Sequence, residues 1–193
     1  ETTLREAIEA IAAGGAGADN VVTFDLPGPG PWTISLLSSL PDIPYTTSIE
    51  GPGADLLTIE APFGNDTFAF VPNEADADFA LRDVTLAGNN PSRGLWVGNG
   101  AESPRSVTLT DVVFEGFSGG QTGMAADLRG ITASVTLSGV TAHQNESSAS
   151  GGAAVHVQES PTAVMTVTDS VFSDNSAAGN GGAMIVSGVA GLQ

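Results

Sequence analysis

Leu81-Arg82-Asp83-Val84-Thr85-Leu86-Ala87-Gly88-Asn89 is the stretch that decides the fold, because the chain repeats it three more times. Its counterparts are Leu109-Thr110-Asp111-Val112-Val113-Phe114-Glu115-Gly116-Phe117, Leu137-Ser138-Gly139-Val140-Thr141-Ala142-His143-Gln144-Asn145 and Val167-Thr168-Asp169-Ser170-Val171-Phe172-Ser173-Asp174-Asn175. With Asp83, Asp111, Gly139 and Asp169 equivalent, the steps are 28, 28 and 30 residues. A second series, Gly94, Gly123, Gly152 and Gly182, each opening a small or apolar run, steps by 29, 29 and 30. Two markers on one period define a repeat, and periods of roughly 20–50 residues belong to solenoids, propellers or arrays.

A propeller blade needs about 40–45 residues and four strands, more than this repeat can hold. An antiparallel sandwich gives turn residues no reason to recur at one period. In a parallel β-helix each repeat is one coil, and equivalent residues lie about 4.8 Å above one another. Like then stacks on like. Leu86, Phe114, Ala142 and Phe172 form one inward column, and Val84, Val112, Val140 and Ser170 a second; Thr85, Val113, Thr141 and Val171 face out. Asn89, Asn145 and Asn175 fall at a corner, where asparagine tolerates left-handed backbone and its amide can bond to the copy above. Phe117 interrupts that ladder. The expected fold is therefore all-β: a single-stranded parallel β-helix of about six coils of 28–30 residues over 19–193, spaced about 4.8 Å apart.

Residues 1–18 read differently, as a capping helix and linker. Thr3 and Glu6 have capping-box spacing. Leu4, Ala7, Ile8, Ile11 and Ala12 then share a helical face, and Gly14-Gly15 ends the run. So short a helix must lay its apolar stripe on something, and the open first coil of a solenoid is the natural surface. Leu4, Ile8 and Ile11 are its expected anchors. Strands follow at Val21–Leu26, Trp32–Leu36, Thr47–Glu50 and Leu56–Glu60, divided by Gly-Pro turns. Proline crowds the first half, so the early coils should have the more irregular turns.

Composition narrows the functions. The 193 residues carry 22 acidic groups against five arginines and no lysine, a net charge of −17. Such a chain repels phosphate backbones and anionic lipid, which argues against nucleic-acid or electrostatic membrane partners. Cysteine is absent, so there are neither disulfides nor thiol chemistry. No stretch approaches the ~20 apolar residues of a membrane span. The chain opens at Glu1 with no initiator methionine, and is expected to be processed or cut from something longer. Acidity, missing lysine and abundant Gly, Ser, Thr and Asn point to an extracellular or bacterial cell-surface protein.

Thr3-Leu4-Arg5-Glu6-Ala7-Ile8, Asp19–Phe24, Ser39–Ile43, Ile49–Ala54 and Leu57-Thr58-Ile59 resemble the N-terminal module of secreted bacterial β-helix proteins. That module is known by a Cys-Ser-Leu-Arg-Glu-Ala signature; Thr2-Thr3 replace Cys-Ser, so any role of the cysteine is missing. Gly151-Gly152-Ala153-Ala154, Gly181-Gly182-Ala183-Met184 and Phe172-Ser173-Asp174-Asn175 resemble repeats of polymorphic outer-membrane adhesins. The resemblance spans most of the chain and implies a pectate-lyase-like, right-handed β-helix. That fold hosts adhesins, lyases, hydrolases and structural proteins alike, so it leaves activity open.

Candidate chemistry is sparse. Glu74, Asp76 and Asp78 alternate, which in an extended segment would put three carboxylates on one side for calcium. No other cofactor is suggested. Arg82 beside Asp83, and Arg129 near Asp127, are the basic candidates for a lyase or glycosidase site; surface ion pairing explains both. His143 and His156 lack a second histidine or cysteine and read as turn or surface residues. Trp32, Trp96 and Tyr45 could stack on sugars but read as packing. Neither a nucleophile elbow nor a phosphate-binding loop is present. The last stretch, Gly188–Gln193, has no cap, so further coils or self-association through that end are expected. The leading expectation is a non-catalytic adhesive, stalk or assembly β-helix with a cell-surface or glycan ligand. Polysaccharide lyase or hydrolase is the alternative, and an end-to-end filament or sheath subunit the third.

Overall fold

A computed structural model describes residues 2–14, 19–89, 91–98, 100–149, 152 and 154–193. One helix, α1 (Leu4–Gly14), precedes a stack of short strands, and every strand pairing among these residues is parallel. The first coil holds β1 (Asn20–Thr23) and β2 (Trp32–Ser35). The second holds β3 (Thr47–Glu50), β4 (Leu57–Glu60) and β5 (Asp66–Phe70). The third holds β6 (Asp78–Ala87) and β7 (Arg93–Val97). The fourth holds β8 (Ser106–Glu115), β9 (Ser118–Gly119) and β10 (Ala126–Arg129). The fifth holds β11 (Ser134–Ser138), β12 (Thr141–His143), β13 (Glu146–Ser147) and β14 (Val155–Gln158). The sixth holds β15 (Ser160–Thr168), β16 (Val171–Ser173), β17 (Ser176–Ala177) and β18 (Met184–Val186). β19 (Val189–Leu192) then lies on β15.

The result is a parallel β-solenoid of about six turns with one short N-terminal helix. Its strands stack into an 11-stranded bent sheet, a five-stranded sheet and a three-stranded sheet. The coil step is 27 residues from Asn20 to Thr47 and 32 from Thr47 to Phe79. It then settles at 28, 28 and 30 through Val107, Val135 and Met165. Irregularity sits in the proline-rich early coils.

The bend of the long sheet explains the Asp-Asp-Gly-Asp series. Asp83, Asp111, Gly139 and Asp169 all have left-handed backbone, with φ of 57°, 51°, 65° and 50°. In an unbroken strand Leu81 and Val84 would point to opposite faces. One left-handed residue between them resets the alternation, so both point inward and both are fully buried; Leu109 with Val112 and Leu137 with Val140 repeat this. Aspartate is among the few residues that tolerate this conformation. Gly139 has a further reason to lack a side chain. A Cβ there would lie 2.2 Å from Oδ1 of Asp111, whose carboxylate occupies the space.

The inward columns form as expected. Leu86, Phe114, Ala142 and Phe172 are in register, and the column continues downward through Ile59 and Ile34. Phe68, Phe70, Phe79, Phe114 and Phe117 fill the centre, with Phe70 and Phe79 5.2 Å apart. Thr85 faces out yet is buried, because its hydroxyl donates to Ala54 O at 2.7 Å under the turn that begins at Gly51.

The glycine series needs correction. Strand register aligns Leu95, Ala126, Val155 and Met184, so the steps here are 31, 29 and 29. Gly94 therefore matches Ala125 rather than Gly123, and Gly181, not Gly182, continues Gly123 and Gly152. Gly123, Gly152 and Gly181 are left-handed, with φ of 59°, 33° and 70°. Gly151 and Ala153, which carry part of the adhesin-like resemblance, lie outside the described residues.

The cap is built as the spacing predicts. Thr3 N donates to Glu6 Oε2 at 2.8 Å and Glu6 N to Thr3 Oγ1 at 3.2 Å. Ile8 and Ile11 are buried in the same apolar cluster as Val22, Leu40 and Ile43, with Leu4 packed against its edge. Ala12 is exposed, so the buried stripe is narrower than the sequence suggested.

Candidate functional site

The densest group of ionisable side chains lies on the outer face of the five-stranded sheet. Trp96, Asp127 and His156 stack there from β7, β10 and β14, with Ala69 below and Ile185 above. Alternation along β10 turns Asp127 and Arg129 outward together. Outward does not mean exposed here, since Asp127 has no accessible surface. The chain after β9 crosses directly over the strand. A Cβ on Gly123 would sit 2.6 Å from Ala126 O and 2.8 Å from Asp127 Cα, so the crossing requires glycine.

Donors converge on Asp127 from three coils. Arg129 grips it bidentately, Nε to Oδ1 at 2.9 Å and Nη2 to Oδ2 at 2.7 Å. Arg93 Nη1 donates to Oδ2 at 3.0 Å while its Nε and Nη2 hold both oxygens of Asp66 at 2.9 Å. Thr122 Oγ1 reaches Oδ2 at 3.4 Å, and His156 Nδ1 lies 3.3 Å from Oδ1. An ionised carboxylate has no proton to give, so Nδ1 of His156 carries the hydrogen. Trp96 supplies a ring face 5.6 Å from the Arg93 guanidinium carbon. Gln158, with its amide oxygen turned inward, accepts from Arg129 Nη1 at 2.9 Å.

Two carboxylates and two guanidiniums make the cluster electroneutral. Burial alone pushes the Asp127 carboxyl up, but hydrogen bonds from His156 and Arg129 and the charges of Arg129 and Arg93 outweigh it, and the pKa is lowered. Asp127 in turn raises that of Arg129. A carboxylate so engaged and so buried is unsuited to general acid or base work, which needs a proton-transfer path to substrate. Asp66 is no second catalytic carboxylate either, because Arg93 ties it to the first. Beside the cluster, a depression of about 280 Å³ is lined by Asp66, Ser92, Arg93, Gln121 and Met124.

Several sequence expectations change. Arg129 and Asp127 are not a surface pair. Arg82 pairs with Glu50 rather than Asp83, and lowers the pKa of Glu50 by hydrogen bonding. His156, read as a surface histidine, is buried against Asp127. Their separation of 29 residues, one coil, was the available signal. His143 lies 3.5 Å from Glu115 one coil below. Trp32 donates its indole N–H to Pro27 O, and Tyr45 is half-buried against the core.

The calcium expectation fails on its premise. Glu74 and Asp76 lie in a turn and Asp78 opens β6, and left-handed Asp76 (φ 60°) breaks the alternation that would align them. Glu74 accepts from Thr46 N at 2.9 Å, while Asp78 is held by Arg105 and Ser106. No group of three metal-ligating side chains converges among the described residues.

The asparagine ladder is shorter than expected. Asn145 Nδ2 donates to Asn175 Oδ1 at 2.9 Å, Asn145 Oδ1 accepts from Phe117 N at 3.0 Å, and Asn175 Nδ2 donates to Ala142 O at 2.9 Å. Asn89 stands outside it. Its side chain is exposed and its backbone N–H goes to Ser92 Oγ, because Phe117 separates it from Asn145 and offers only a backbone N–H to bond.

Comparison of the chain with family models, with curated proteins and with solved structures returns no match, so its chemistry is read from its own residues.

Proposed function

We propose that this chain is a non-catalytic, extracellular β-helix, an adhesive or structural element of a bacterial surface that presents its turns from a stiff stack. The observation that carries this reading is the closure of the Asp127 cluster on itself. All five arginines are engaged within the chain: Arg5 on Ser38, Arg82 on Glu50, Arg93 and Arg129 on Asp127, and Arg105 on Asp78. A lyase acting on an anionic sugar needs cationic groups facing its substrate, and none is left over among the described residues. What remains on the surface is acid, suited to neutral or cationic partners. Among the described residues no helix is long and apolar enough to cross a membrane.

The test has two arms. Purified chain incubated with neutral and uronate polysaccharides should release no reducing ends or unsaturated products. Beads coated with it should be retained under flow on bacterial or host surfaces bearing the ligand. Turnover that survives purification and disappears in Asp66→Asn would overturn the reading in favour of a polysaccharide lyase or hydrolase. Self-association through the last coil, where Phe172, Met184 and Val186 are only partly buried, predicts light scattering that rises with concentration. Open-ended growth in that experiment would favour a filament subunit.

A further inference from the structure

The outer face of the bent sheet, before its left-handed turn, carries a different kind of surface. β8, β11 and β15 run side by side there, and register places Thr108, Thr136 and Thr166 in one column and Thr110, Ser138 and Thr168 in the next. The two columns are separated by one inward residue: Leu109, Leu137 and Val167. Six hydroxyls therefore form a grid with a spacing of about 4.8 Å across coils and about 6.6 Å along each strand. Five of the six side chains are β-branched and stiff at χ1, which keeps the grid in order.

Three properties separate this grid from ordinary strand surface. It is neutral in a chain of net charge −17: no charged residue occupies an outward position of these columns in the three coils. It is free of aromatic rings, so it offers no stacking platform for a sugar. None of the six hydroxyls has a partner within the chain among the described residues, and all are half-buried or exposed, so their bonding capacity points to solvent. Several outward hydroxyls elsewhere are taken, Thr85 by Ala54, Ser106 by Asp78 and Thr162 by Thr132; other free ones, such as Thr33 and Thr58, do not form a two-column array across three coils.

We propose that this face binds ice, holding an ordered layer of water that joins the crystal lattice. A flat, rigid array of alternating hydroxyl and methyl groups anchors water at the oxygens and cages it over the methyls. The oxygen rows on ice surfaces repeat at distances of the same order as the two spacings of the grid. Neutrality fits an uncharged lattice, and the lack of rings disfavours a glycan. The proposal is independent of the scaffold reading, since a rigid face can order water whatever the turns bind.

The experiment is microscopy of single ice crystals in a dilute solution of the chain, with recrystallisation measured in parallel against an inert acidic protein. Faceted crystals, arrested over a measurable temperature gap, are expected. Thr136→Lys, at the centre of the grid, loses this effect, while Val171→Lys, on the face beyond the bend, keeps it. Circular dichroism and the denaturant midpoint check that both variants fold. Thr110→Lys, at the grid edge, repeats the loss if Thr136→Lys does not fold. Ice that grows as freely as in the control protein, or an effect retained by the folded grid variants, overturns the proposal. Retention on crystalline cellulose or chitin without any ice effect, lost in Thr136→Lys, overturns it by reassigning the face to a neutral polysaccharide.

Discussion

Two outer faces of one solenoid have opposite characters. On the five-stranded sheet the column Trp96, Asp127, His156, Ile185 changes chemistry at every step, and the crossing chain covers Asp127, whose two oxygens are both engaged. On the bent sheet Thr108, Thr136 and Thr166 repeat one chemistry, are half-buried, and have hydroxyls with no partner among the described residues. A stack places successive side chains about 4.8 Å apart, where like charges repel and like hydroxyls do not. Charge at an exposed corner, as at Asp83 and Asp111, can repeat because solvent screens it, but on the five-stranded sheet it is buried only because opposite charges arrive from adjacent coils. Uncharged residues can repeat without limit.

The comparison breaks most sharply at Asp127. Asp127→Ala leaves Arg129 without its carboxylate and Arg93 with Asp66 alone, and should cost about 3 kcal/mol of stability, the low end for a broken buried pair because Arg129 reaches solvent, read by denaturant unfolding. The pH dependence sharpens it. The folded-state pKa of Asp127 is held below its unfolded value of about 3.9. Its stabilisation is therefore complete above that value and lost as pH falls through the folded-state value. The denaturant midpoint should drop with acid in the native chain and drop less in Asp127→Asn.

Gly123 tests the cover over the cluster. Gly123→Ala forces a side chain into left-handed backbone and against β10 and should cost about 1–3 kcal/mol. Fluorescence of Trp96 should report the loosened cluster. At the asparagine corner, Asn145→Ala leaves Phe117 N without its acceptor and should cost about 1–3 kcal/mol, whereas Asn89→Ala should change stability by less than about 0.5 kcal/mol. Equal effects at the two asparagines would mean that the ladder runs through both. In the cap, Thr3→Ala should cost about 1 kcal/mol, less than Asn145→Ala at the upper end of its range, and seen as an earlier loss of the helical signal on heating.

Most of the fold was legible because stacking makes the pattern redundant. Leu86 and Val84 announce their columns, and Thr3 with Glu6 announces the cap. The Asp83 series was legible as a marker but not as a bend, since the spacing of a residue does not state its φ. Gly94 misled because the coil containing it is longer by two residues at that point, which only strand register reveals. Asn89 misled because a ladder needs a donor or acceptor in every coil, and Phe117 removes one. Glu74, Asp76 and Asp78 misled because alternation aligns side chains only in extended backbone.

By itself the sequence determined the period, the inward columns, the helix that covers one end and the acidity of the whole. These are properties of residues a fixed number apart, and they follow from alternation along a strand and repetition across coils. Only the tertiary structure decided that Asp127 is fully buried and Thr136 only half-buried, although both point away from the core. Burial of an outward group depends on where a connecting segment travels after it leaves its strand. The chain beyond β9 lies over β10 and buries Asp127, while Thr136 on β11 keeps part of its surface, and no periodicity records that choice.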